Sequence, residues 1–171
     1  NYYFRKQQFT DALEFYEKAD IASLNNEQIS EQKFRMGYCY FHLKQYQQAK
    51  PLFNTIRQMP TDKYYLDANY YYGFIAYNDK QYNDALGCFE KVKEHPEYGK
   101  IVPFYIASIY YFRGEKDKAI KIAEEAVKRP NILYDVEMKQ LLGHAYFEKN
   151  EYKKALPLLE EYVNKSEKVT R

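Results

Sequence analysis

Residues able to do chemistry are thinly spread in this chain of 171 residues. Its three histidines, His42, His95 and His144, lie far apart. None belongs to a His-Glu-x-x-His pattern or joins a cysteine at a metal-ligand spacing. Cys39 and Cys88 form no Cys-x-x-Cys pair and stand among apolar neighbours, where a free thiol behaves as a small hydrophobe. The adjacent carboxylates Glu124-Glu125 and Glu160-Glu161 fall on the solvent side of helices, as ordinary surface acids do. Only six glycines are present, and no Gly-rich phosphate loop or Gly-x-Ser-x-Gly elbow can be found. Asn164-Lys165-Ser166 matches a glycosylation sequon, a three-residue pattern of low specificity. The sequence therefore predicts no catalytic residue, no metal site and no cofactor.

Aromatic rings recur instead: 21 Tyr and 11 Phe make 19% of the chain aromatic, with no Trp. Tyrosine combines apolar area with a hydroxyl that wants a partner or water. At helical spacing Phe34, Tyr38 and Phe41 lie within about 60° of one another. The same offsets give Tyr70, Phe74 and Tyr77, then Phe104, Ser108 and Tyr111, then Gln140, His144 and Phe147. Such a ladder suits an extended or helical peptide held by ring contacts and tyrosine hydrogen bonds. The candidate partner-binding residues are Phe34, Arg35, Tyr38, Phe41, Tyr70, Tyr71, Phe74, Tyr77, Phe104, Tyr105, Tyr111, Gln140 and His144, with Arg35 the one cation near the ladder. The alternative is that these rings pack against the neighbouring helix.

A repeat sets the elements that position them. Ala12, Ala49, Ala85, Ala119 and Ala155 stand 37, 36, 34 and 36 residues apart. Gly37, Gly73 and Gly143 precede three of them by 12 residues, with Ala107 in the equivalent slot of the fourth unit. Phe9, Tyr46, Tyr82 and Tyr152 fall three before the anchor, and Tyr16, Phe53, Phe89 and Leu159 four after it. Tyr3, Tyr40, Tyr110 and Tyr146 fall nine before it. Small residues at these points let two helices approach closely while the large ones fill the space beyond. Apolar residues returning at three and four predict helices over Tyr2–Lys6, Thr10–Ala22, Glu27–Lys44, Tyr46–Gln58, Asp62–Asp79, Tyr82–Glu94, Tyr98–Phe112, Glu115–Lys128, Leu133–Lys149 and Tyr152–Lys165. Pro60, Pro96 and Pro130 end units, and Thr61 or Asp62 and Asn131 are expected N-caps. Pro51 and Pro157, two residues past their anchors, are expected to shift the start of a second helix without breaking it.

This pattern resembles the tetratricopeptide repeat family, whose unit of about 34 residues is a helix, a turn and a second helix. The resemblance covers nearly the whole chain. It implies an all-α fold, an α-solenoid of antiparallel helix pairs in a right-handed superhelix, with about five units over 1–25, 26–61, 62–97, 98–131 and 132–171, the first truncated. It also implies that the first helices line a concave groove where peptides bind. The chain departs from the family in Lys33, Asn69, Pro103 and Lys139, where a bulky residue is usual, and in having only Gly114 at the turn glycine. The clamp by which one subset of the family grips a C-terminal carboxylate is absent, its positions being held by Phe34, Tyr38, Asp67, Tyr71 and Tyr105.

A net charge of +2 with interspersed signs offers no clustered basic face for nucleic acid. No apolar run approaches the roughly 18 residues of a membrane span. The resulting expectation is one repeat domain over 1–171, a segment of a longer protein, acting as a non-catalytic scaffold for a protein or peptide ligand. Two further readings are an assembly component of a bacterial envelope, as in certain lipoproteins, and an accessory domain of a larger enzyme or regulator. Self-association through uncapped repeat ends is a further expectation. The compartment, cytoplasmic or periplasmic, is left open.

Overall fold

A computed structural model describes residues 2–18 and 24–169, with side chains from residues 6–18 and 24–165. Among these residues there are nine α-helices and no strand. They are α1 (Tyr2–Glu17), α2 (Asn26–His42), α3 (Tyr46–Ile56), α4 (Tyr65–Asn78), α5 (Tyr82–Val92), α6 (Val102–Phe112), α7 (Lys116–Ala126), α8 (Asp135–Glu148) and α9 (Tyr152–Val169). The chain divides into two compact units, residues 1–91 and 92–171. In the first unit, α2 packs against α1 and α3, and α4 against α3. In the second, α6 pairs with α7, α8 with α9, and α8 also packs on α7.

Four of the five repeated alanines are buried, Ala12 being half-buried. Ala49, Ala85 and Ala119 are fully buried, as are Phe53 and Phe89 four residues beyond the first two. A Cβ added at Gly37 would stand 2.9 Å from Cε1 of Phe53, and one at Gly73 would stand 2.9 Å from both Cβ of Cys88 and Cε1 of Phe89. Glycine at these two positions is therefore what sets the spacing of α2 on α3 and of α4 on α5. Cys39 and Cys88 are buried free thiols, and burial pushes both thiols up from their ordinary pKa.

Four helix-to-helix turns share one construction. Lys44, Lys80, Gly114 and Asn150, each five residues before an anchor alanine, adopt left-handed backbone with φ of 61°, 61°, 75° and 62°. The next N–H in each case reaches back to a carbonyl of the preceding helix: Gln45 to Tyr40 at 2.8 Å, Gln81 to Ala76 at 2.8 Å, Glu115 to Tyr110 at 2.8 Å and Glu151 to Tyr146 at 2.9 Å. With the accompanying bonds from Lys44, Lys80, Gly114 and Asn150 to Phe41, Tyr77, Tyr111 and Phe147, these are Schellman closures that satisfy the last carbonyls of the helix. The closure glycine is thus present only once, yet the geometry is repeated four times.

Several expected boundaries are corrected. Tyr2–Lys6 and Thr10–Ala22 are one continuous helix up to Glu17, because no breaker or left-handed residue separates them; Ala22 lies outside the described residues. Pro51 and Pro157 do not shift their helices, which start at Tyr46 and Tyr152 immediately after the turn closure. Each proline sits past the first turn, where its missing N–H forfeits one intrahelical bond. Asn131 is not an N-cap: it has φ 61° in a turn, and Tyr134, also left-handed, precedes α8. Asp62 accepts from the N–H of Tyr64 at 2.8 Å, bracing the turn before α4 without capping it. The segment expected to open a helix at Tyr98 is a short 3-10 turn, Tyr98–Lys100; α6 begins at Val102, with Pro103 in its first turn where no N–H is needed. The cap of α2 is a capping box that the sequence reading passed over, with Asn25 and Gln28 exchanging two 2.9 Å bonds.

Candidate functional site

In the first unit the ring ladder forms where α4 lies beside α2. Tyr71 is its hub. Its ring centroid is 4.8 Å from Phe41, 5.2 Å from Tyr70, 5.7 Å from Tyr38 and 6.2 Å from Phe34, and it stacks on the buried Phe53 at 5.2 Å. Phe74 meets Phe41 at 5.3 Å and Tyr46 at 6.4 Å, and Tyr77 meets Tyr82 at 6.2 Å. Phe34, Tyr38, Phe41, Tyr70, Tyr71, Phe74 and Tyr77 are all half-buried. The rings therefore do both things considered from sequence: they pack helix to helix and keep part of each face in solvent.

Tyr38 and Tyr71 meet edge to face at 90°. Burial is the main cause holding the Tyr71 phenol far above its ordinary pKa, so it is a hydrogen-bond donor at every physiological pH. Among the described residues neither hydroxyl has a hydrogen-bond partner, and neither is sealed from solvent. Arg35 is otherwise engaged. Glu31 takes its Nη2 at 2.6 Å and its Nε at 3.0 Å, and also takes Nζ of Lys63 at 3.0 Å. The hydrogen bonds from Lys63 and then Arg35 hold the Glu31 carboxyl below the usual range, and the one to Glu31 raises the Arg35 guanidinium. The cation of the ladder is thus tied into an ion-pair network in which Glu31 holds both Arg35 and Lys63, and Lys63 also pairs with Glu27.

In the second unit the expected residues fare differently. Phe104 is half-buried and Tyr105 buried. The ladder slot between Phe104 and Tyr111 is closed, since Ser108 is buried and its hydroxyl donates to the Phe104 carbonyl at 2.8 Å. Tyr111 donates to Glu148 at 2.5 Å, and Glu148 also pairs with Lys116 at 2.5 Å. That bond, ahead of burial, pushes the Tyr111 phenol up to about 12. Gln140 is half-buried and His144 exposed. Phe147, also exposed, meets Tyr152 at 5.3 Å across the turn.

Two rings were missed. Tyr64 stacks on Phe34 at 4.3 Å with planes 7° apart, and Tyr134 stacks on Phe104 at 5.0 Å and 28°. Both immediately precede a first helix, and each covers an aromatic residue of the preceding first helix, Phe34 in the middle of α2 and Phe104 in the first turn of α6. The signal was in the register, because Tyr64, Tyr98 and Tyr134 all stand 21 residues before an anchor alanine. Among the described residues no group of His, Cys, Asp or Glu is placed to hold a metal ion, and no helix is long and apolar enough to cross a membrane.

Family models described as tetratricopeptide repeat match residues 33–59 and 104–131, and a second such model matches 136–164. No curated protein matches the sequence. Among solved structures, MamA is similar with a TM-score of 0.75 at 21% identity, covering 96% of this chain and 92% of that one. MamA of AMB-1 gives 0.74 at 17% identity over 94% of this chain and 84% of that one. The TPR-like repeats of a putative kinesin light chain from Podosopora anserina give 0.70 at 19%, over 99% and 93%. At these identities the likeness establishes the all-α helical-repeat fold. The repeat matches support a protein-interaction scaffold as the general role.

Proposed function

We propose, from the premise that this chain contains tetratricopeptide repeats, that it is a non-catalytic scaffold whose ring-lined first helices take up a peptide of a partner protein. The observation that carries this reading is the pair Tyr38 and Tyr71. Two half-buried phenols, their rings 5.7 Å apart and perpendicular, have no partner for their hydroxyls among the described residues. Tyrosine hydroxyls in such surroundings usually find an acceptor, and the carbonyls of an extended peptide would supply two. Phe34 and Phe41 offer apolar ring area on either side. Arg35, paired with Glu31, adds no charge requirement, so the ligand is a neutral, ring-stacking segment and not an acidic terminus.

Peptides selected from a random display library on the wild-type chain would test this when titrated calorimetrically into the double variant Tyr38→Phe with Tyr71→Phe. The change keeps both rings and the fold. Each hydroxyl lost to a peptide carbonyl should cost about 0.5–1.5 kcal/mol, so the pair should weaken binding about fivefold or more. Unchanged affinity would remove these residues from the ligand site.

A further inference from the structure

Donors and acceptors are unequally supplied on the ring-lined surface of the first unit. Tyr38 and Tyr71 carry two hydroxyls without a partner among the described residues. Burial keeps the Tyr71 phenol protonated, so it stays a donor. The acceptors nearby are already taken. Helix carbonyls bond to helix N–H groups, Glu31 takes both Arg35 and Lys63, and Asp67, one turn before Tyr71 on α4, is engaged as well. Charge is balanced too. Residues 1–91 carry as many acidic as basic side chains, and beside the rings the cations Arg35 and Lys63 meet the carboxylates Glu27 and Glu31. What this surface holds out to a ligand is ring area and phenol hydroxyls, with no surplus charge.

A peptide carbonyl laid on such a surface gains a donor, whereas a peptide N–H loses its water and meets mainly ring carbon. Proline is the residue that brings a carbonyl and no N–H. Its apolar ring suits aromatic faces, and the polyproline II helix it favours has no internal hydrogen bonds and is ordered before binding. Spacing agrees with composition. One turn of that helix advances about 9 Å, and helices packed side by side stand about 8–10 Å apart, so successive turns fall on α2 and α4. A β-strand repeats each face at about 7 Å and keeps every N–H. Building on the peptide role proposed above, we infer that the ligand is a neutral, proline-rich segment of a partner protein in polyproline II conformation. It crosses α2 and α4, its carbonyls accept from the hydroxyls of Tyr38 and Tyr71, and its pyrrolidine rings lie on Phe41 and Phe74, which meet at 5.3 Å.

The probe is a fluorescein-labelled nonaproline titrated with the full chain and followed by anisotropy. Binding should saturate and should change by less than about twofold when the salt is raised tenfold, since no ion pair forms. Exchanging alternate prolines for alanine, which brings back N–H groups, should weaken it about tenfold or more. Exchanging the same prolines for N-methylalanine, which again lacks the N–H, should recover most of that loss. Tyr38→Phe with Tyr71→Phe should weaken nonaproline binding about fivefold or more. Lack of saturable binding, indifference to the alanine exchange or to the tyrosine pair, or N-methylalanine no better than alanine would each overturn the proposal. So would library-selected peptides that lack proline and still lose affinity on Tyr38→Phe with Tyr71→Phe. That last result would leave the peptide role standing and remove only the proline-rich ligand.

Discussion

Alanine substitution at the helical glycines gives a graded test of how closely the paired helices approach. At Gly73 the new methyl carbon would lie 2.9 Å from Cβ of Cys88 and 2.9 Å from Cε1 of Phe89. Carbon atoms prefer about 3.5–4.0 Å, and Cβ of Cys88 is fixed to the backbone of α5, so relief requires α4 and α5 to separate. Overpacking of this kind costs about 1–3 kcal/mol, against which the better helix propensity of alanine returns about 1. The net expectation is a loss of up to about 2 kcal/mol, which at about 2–4 °C per kcal/mol lowers the melting temperature by up to about 8 °C. Gly37→Ala should behave similarly, because the Phe53 ring it meets at 2.9 Å is fully buried and backed by Tyr71. Gly143→Ala meets Cδ2 of Leu159 at 2.8 Å and its Cγ at 2.9 Å, so the whole half-buried leucine side chain must rotate aside, and the loss should be smaller than at Gly73, where the obstacle is a Cβ, but not zero. Gly87, with nothing within 4 Å on the exposed side of α5, should gain about 1 kcal/mol on becoming alanine. Urea unfolding followed by circular dichroism should rank the variants as Gly87, Gly143, then Gly37 and Gly73. Equal midpoints for Gly73→Ala and Gly87→Ala would refute the claim that glycine sets the α4 to α5 spacing.

Lys80→Gly should stabilise the chain by up to about 1 kcal/mol, read as a raised urea midpoint, since relief of left-handed strain outweighs the entropy glycine adds to the unfolded chain. Asn150→Gly should gain less, because asparagine tolerates that conformation; equal gains at both sites would contradict this account. Asn69 is fully buried, and while its Nδ2 donates to the Tyr65 carbonyl at 2.8 Å, its Oδ1 has no partner. Removing that orphan with Asn69→Leu, similar in volume, should stabilise the chain by about 1–3 kcal/mol, and a lowered melting temperature would show that the oxygen is satisfied.

The helix pairs and their tight contacts were legible because they rest on residue size at fixed intervals: Ala85 with Phe89 and Gly73 identify a contact whichever residues surround it. The turns were less legible. Four Schellman closures use Lys, Lys, Gly and Asn, and only the glycine announces a left-handed residue by type, the others being set by the hydrogen bonds of the closure. Prolines misled in both directions. Pro51 lies inside a helix held by its neighbours, whereas Pro103 marks a start that the apolar run through Tyr98 concealed. For the surface, periodicity placed Phe34, Tyr38 and Phe41 on one side of α2. It could not show that Tyr71, from the next first helix, would sit among them, or that Tyr64 would close over Phe34. Those contacts depend on how helices lie side by side, which a single-helix projection does not contain. Ser108 shows the opposite failure, a residue in the right slot withdrawn from the surface by a bond to its own helix.

The burial of Cys39 and Cys88 has a practical corollary. Reagents that modify cysteine attack the thiolate, and both native side chains are shielded and biased towards the neutral thiol. A cysteine introduced at an exposed point such as Lys153 would therefore react first without a cysteine-free background. A fluorophore or spin label there reports on α9 in the otherwise unmodified protein.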